Sequence, residues 1–247
     1  MTPIDFVKEF QRRNKLETDG EPGNKTLGAL DRLLPPTQAQ PATVVIPASQ
    51  AGLAQSPAEK LAACIISQAK RFCGLQEVRP NQNWDNPDTK GSDSALVAEL
   101  IAGMRQSPWE AGWAYCAAFA EAVVAKGLEQ YGATPDQIAK FRKVMSPHCM
   151  TSVRAFKPLG LLMPTPAPGA IWLARHGSTD NGHAGIVVTP HAPHMDTVEA
   201  NTSFDSGGNQ REGDWITNRI RPIAGPGELR TQGFVHPSSI LKLCGLA

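Results

Sequence analysis

Helix-like segments followed by strand-like segments predict an α+β fold, and three observations carry that reading. Apolar residues recur at helical spacing through most of the chain up to about residue 145. After Pro168-Gly169 the texture changes to short runs rich in β-branched residues. Four prolines, at 35, 36, 41 and 47, sit among Ala, Gln, Thr and Ser and mark a linker without a core. The expected organisation is a small helical module over 1–34, a linker over 35–55 and a main domain over 56–247.

The elements follow in order. Ile4, Phe6, Val7 and Phe10 share one helical face. Asp19-Gly-Glu-Pro-Gly23 breaks that helix, and Asn24 caps a second one that buries Leu27, Leu30, Leu33 and Leu34. Ser56-Pro57-Ala58-Glu59 is a capping box with proline at the first helical position, and its helix runs to about Phe72 and stops at Gly74. Residues 75–91, rich in Asn, Asp and Pro, read as a loop. Helices are expected over 92–104, over 116–131 and from Thr134-Pro135 to near Met145. Strands are expected over 170–174, 183–189, 197–201 and 233–236.

Composition narrows the function. The 247 residues include 24 basic and 23 acidic side chains, and neither forms long runs, so nothing calls for a nucleic acid or a membrane surface as partner. The longest apolar-rich stretch, 116–126, is far short of the roughly 20 residues of a membrane span. The start lacks a basic region followed by an apolar block, so synthesis in the cytoplasm is expected, with any action outside depending on separate delivery. Cysteines at 64, 73, 116, 149 and 244 form no CxxC pair, which argues against a zinc site and a full disulfide framework. Cys64 and Cys73 are expected to be small buried apolar residues. His191 and His194 form an HxxH without further ligands, and no metal or cofactor is expected.

Three stretches carry chemistry. Trp113-Ala-Tyr-Cys116-Ala-Ala-Phe places a cysteine at the start of an apolar helix, where unpaired N–H groups and the positive end of the dipole favour a thiolate. Asn181-Gly-His183-Ala-Gly-Ile-Val-Val opens a strand with a histidine. Thr197-Val-Glu199-Ala-Asn201 can return as a hairpin. Pairing of His183 near Asn201 then puts Glu199 and Asn201 on the histidine's face, since alternate strand residues share a face. Either side chain could fix the imidazole; Glu199 is the preferred direct partner, because a carboxylate also stabilises the imidazolium.

Together these stretches resemble the CHAP hydrolases, cysteine- and histidine-dependent amidohydrolases and peptidases of peptidoglycan that share the papain-like fold with NlpC-type enzymes. Over residues 56–236, Gly74-Leu-Gln-Glu77 resembles the family's G-x-x-E, and Tyr115-Cys116-Ala-Ala-Phe its W-C-A-A-F. Pro168-Gly-Ala-Ile with Gly182-His183-Ala-Gly-Ile-Val resembles P-G-D-I…G-H-V-G-I-V, and Val198-Glu-Ala-Asn-Thr resembles I-E-G-N-T. Arg211-Glu-Gly213 and Arg219-Ile-Arg221, before Gly233-Phe-Val235, resemble its closing strands. Tyr115, Ala170 and Ala200 depart from the family's common Trp, Asp and Gly. The resemblance implies Cys116 as nucleophile, His183 as base, Glu199 or Asn201 as its orienting group, and Trp113 and Tyr115 against substrate. Some members bind calcium before the nucleophile; here Asp85, Asp88 and Asp93 lack EF-hand spacing and read as a solvated loop. Separately, Phe6, Val7, Phe10, Gln11, Asp19-Gly20, Gly23, Thr26 and Leu30 resemble the peptidoglycan-binding module of wall hydrolases, in shortened form.

The implied function is cleavage of a peptidoglycan amide bond, either the link between glycan and stem peptide or a bond within the peptide. Two settings fit, a phage endolysin or an injected toxin with an immunity protein as partner. The rival readings are a non-catalytic wall-binding protein and a papain-like protease acting on proteins.

Overall fold

The computed structural model describes residues 3–16, 18, 55–77, 95–110, 112–203, 213–224 and 229–246. The expected second N-terminal helix, the linker and the Asp85–Asp93 loop lie outside the described residues. The chain divides into two units, and helix α1 (Pro3–Arg13) belongs to the N-terminal one. Its exposed face is tied by Glu9, which pairs with Arg12 at 2.8 Å and Arg13 at 2.7 Å.

The larger unit begins with α2 (Pro57–Arg71). Ser56 Oγ accepts from the Glu59 N–H at 3.3 Å while Glu59 Oε2 accepts from the Ser56 N–H at 2.7 Å, so both halves of the capping box form. Next come α3 (Ala95–Met104), α4 (Cys116–Tyr131), α5 (Pro135–Val144) and α6 (Cys149–Phe156). Helix α5 repeats the device, with Thr134 and Gln137 reciprocally bonded. Helix α4 is buried around nearly its whole circumference, as a helix with no polar stripe must be. The strands are β1 (Leu162–Met163), β2 (Ile171–His176), β3 (Gly182–His191), β4 (His194–Thr202), β5 (Trp215–Pro222) and β6 (Leu229–Val235), before a closing helix α7 (Pro237–Cys244). They form one antiparallel sheet in the order β1-β6-β2-β3-β4-β5.

The mixed helical and antiparallel composition is the expected α+β class. Ile171, Leu173, Ala184, Ile186, Val198, Ala200 and Ile216 belong to the main core with α2 and α4. Trp172, Val187, Met195 and Phe234 form a smaller cluster with Ala170 and Ala174. The alternation of these two sets along each strand is the period of two that separates the faces of a sheet.

Several elements differ from expectation. The hairpin turn is tighter than the gap between the expected strands 183–189 and 197–201, because β3 runs to His191 and β4 starts at His194. Helices α6 and α7 come from segments whose apolar periodicity is short, and β5 extends beyond Arg219-Ile-Arg221, the stretch expected as a closing strand, with buried or half-buried positions alternating with exposed ones along much of its length. Cys64 and Cys73 are half-buried rather than buried, since they flank the α2 stripe of Leu61, Ile65 and Ala69. Burial still raises both thiols, Cys73 to about 11. Among the described residues, no helix is long and apolar enough to cross a membrane.

Candidate active site

Cys116 is the first residue of α4, and His183 the second of β3. Both are nearly enclosed, at 4 % and 1 % exposure. The His183 ring bonds Glu199 through Nε2, at 2.8 Å from Oε2, which leaves Nδ1 as the nitrogen for the thiol. Glu199 reaches the ring because of what stands opposite it. The register pairs Glu199 with Gly185, where a Cβ would lie 2.8 Å from the Glu199 Cγ. Any side chain at 185 would push the carboxylate away from the histidine two residues along the same face.

Two other residues hold Glu199. Thr197 Oγ1 donates to Oε1 at 2.6 Å, and Arg221 donates to the two oxygens at 2.8 and 2.5 Å in a bidentate fork. The Arg221 guanidinium lies 5.8 Å from the Trp172 ring centre, and the Trp172 and His183 rings meet edge to face at 6.1 Å. The sequence reading missed Thr197, and gave Arg221 no role. The one signal is strand alternation, which puts residues 197 and 199 of β4 on one face and, through Met195 opposite Arg221, the arginine with them.

The site is a row of alternating charges. Burial opposes ionisation of Glu199, but Arg221 and His183 outweigh it and hold the carboxyl well below the usual range. Burial likewise opposes the imidazolium, yet hydrogen bonds to Cys116 and Glu199 raise His183 to about 9. Cys116 is pulled well below an ordinary thiol, first by a hydrogen bond from Cys149, against burial, and then by His183 and the Ala184 backbone. The Cys149 Sγ lies 3.7 Å from the Cys116 Sγ. Cys149 opens α6, and nothing in the sequence around it separates it from an ordinary core cysteine.

The remaining candidates are distributed around this centre. Asn201 is buried at 1 %, with a left-handed backbone, φ 56°, at the irregularity where β4 leaves register with β5. Asparagine tolerates that conformation better than most residues. Tyr115 is wholly buried, so its ring supports the site from within the core and does not offer a face to substrate. Trp113 differs, with 49 % of its surface exposed just ahead of α4. His191 bonds Asp196 at 3.0 Å beside the hairpin turn. Among the described residues, no group of three or more His, Cys, Asp or Glu is placed to hold a metal ion.

Comparison with known proteins gives one finding. Residues 5–30 match the family model described as a putative peptidoglycan binding domain, which supports a peptidoglycan-binding module there and association with the cell wall. The described part of that segment is α1 and the turn after it. Neither the curated proteins nor the solved structures gave a match.

Proposed function

We propose that the chain hydrolyses an amide bond of peptidoglycan through a cysteine nucleophile, in a catalytic domain of the papain-like CHAP type. The observation that carries this reading is a histidine held between a helix-opening cysteine and a buried, ionised carboxylate. The match over residues 5–30 supplies the wall as the site of action.

In this reading the Cys116 thiolate attacks the carbonyl carbon of the amide. The oxyanion that develops lies near the first turn of α4, whose N–H groups lack helical partners. His183, protonated at the start, delivers its proton to the leaving amine as the tetrahedral species collapses to a thioester. The neutral ring then accepts a proton from water, which attacks the thioester and frees the thiolate. Glu199 fixes the ring and balances the imidazolium, and Arg221 with Thr197 fixes Glu199. The bond is the one joining glycan to stem peptide or one within the peptide, in the setting of a phage lysis enzyme or of an injected toxin with a cognate immunity protein.

The test is digestion of purified sacculi, with the released fragments identified by mass. New amino termini are expected from the native chain and none from a folded Cys116→Ala variant. Wall binding without any new fragment would leave a non-catalytic wall-binding protein instead.

A further inference from the structure

Cys149 forms no bond and transfers no proton in the hydrolytic cycle above, yet its sulfur touches that of Cys116. Both residues open helices, α4 and α6, so two helix N-termini converge on the pair. Gly182, next to His183, gives Cys149 its place, because a Cβ there would lie 2.8 Å from the Cys149 Cβ. Both cysteines are buried at 4 % exposure, so an oxidised Cys116 would meet the Cys149 sulfur before a second oxidant molecule. We infer that Cys116 and Cys149 form a reversible oxidation site, closed by hydrogen peroxide into an intramolecular disulfide that removes the nucleophile.

The chemistry balances. The Cys116 sulfur attacks one peroxide oxygen, the O–O bond breaks, and hydroxide leaves; the product is a sulfenic acid. The Cys149 sulfur then displaces the sulfenic oxygen and forms the S–S bond. The sulfenic hydroxyl leaves as water with the Cys149 proton, and the hydroxide of the first step becomes water by taking up a proton from solvent, the one the Cys116 thiol had given up. Two thiols are oxidised and one peroxide is reduced to two waters. The sulfurs must approach from 3.7 Å to about 2.05 Å, the length of a disulfide. Cys116 is the thiolate of the pair and Cys149 the protonated partner, which suits the first for attack on peroxide and the second for resolution.

The bond itself does not depend on the hydrolase reading; only its consequence for turnover does. The full chain is treated with hydrogen peroxide, free thiols are alkylated, and proteolytic peptides are weighed before and after reduction. The expected result is a linked peptide pair containing Cys116 and Cys149, lighter by two hydrogens, that dithiothreitol separates. In Cys149→Ala, Cys116 should proceed to the sulfinic acid, which dithiothreitol does not reverse. Native protein in which Cys116 becomes sulfinic while Cys149 remains alkylatable would overturn the proposal, and so would linkage to Cys64, Cys73 or Cys244. A disulfide in a chain that releases no wall fragments would sink the hydrolase and leave the oxidation site standing.

Discussion

His183 and Cys116 share one proton, and this fixes how the protein responds to pH. Between about pH 6.5 and 9 the unfolded chain carries a proton on Cys116 and none on His183. In the folded chain the same proton sits on the imidazole, because His183 is raised to about 9 and the thiol is lowered. The raised histidine alone would lose stability as pH rises through this window, and the lowered thiol alone would gain it; the two slopes cancel. Below about pH 6.5 the unfolded histidine binds a second proton that the folded pair refuses, and near 4.5 Glu199 adds a loss of the same sign. Folding free energy from urea titrations should therefore be flat in this contribution from about pH 6.5 to 9 and decline on the acid side. Ultraviolet absorbance should show a thiolate at neutral pH that Cys116→Ala lacks; its absence from the native protein would exclude the ion pair. Neighbouring charges act on the ring in opposite senses. Glu199→Gln removes an anion and should move the alkaline limb of the pH–rate profile on a soluble muropeptide to lower pH. Arg221→Gln removes a cation and should move it higher. We expect a rate loss of roughly ten- to a thousandfold for Glu199→Gln, below the four orders of magnitude of the serine triad, because a thiolate–imidazolium pair depends less on a third charge. Asn201→Ala should cost less. Limbs that move together would mean that Arg221 only holds the strand.

Caps and periodicity made most helices legible, and the reason is local. Ser56, Glu59, Thr134 and Gln137 act within one turn, so α2 and α5 begin where their sequences say. The same logic fails for α6, whose N-cap His148 makes no side-chain capping bond, and for the extent of β5, whose place depends on pairing with β4. Contact between α2 and α4 rests on Gly127, where a Cβ would stand 2.7 Å from the Ile65 Cγ1 and 3.0 Å from its Cα. Helix propensity alone favours Gly127→Ala by about 1 kcal/mol. Overpacking against a backbone atom costs roughly 1–3 kcal/mol and should win, lowering the thermal midpoint. A Gly127→Ala protein more stable than the native one would show that the two helices can slide apart at little cost.

For the fold as a whole, the positions of Cys116, His183 and Glu199 were readable because each sits at or near an element boundary or on a hairpin face. Arg221 and Cys149 were not, since what makes them part of the site is tertiary: the β4–β5 register for one and the meeting of two helix starts for the other. Tyr115 shows the converse failure, an aromatic beside Cys116 that faces the core. If wall association belongs to residues 5–30, removal of residues 1–46 should reduce the rate on intact wall more than on small muropeptides. Equal losses would make the segment structural. The row from Cys116 to Arg221 has one further consequence. Thiolate, imidazolium, carboxylate and guanidinium sum to zero, so the row has no net charge, and what field its dipole leaves falls off faster than that of an ion and is screened over roughly 8 Å by physiological salt. Such a centre casts no long-range attraction on an approaching molecule, and encounter with it is governed by diffusion and shape. The second-order rate constant for a small soluble muropeptide should accordingly change little between low and high ionic strength.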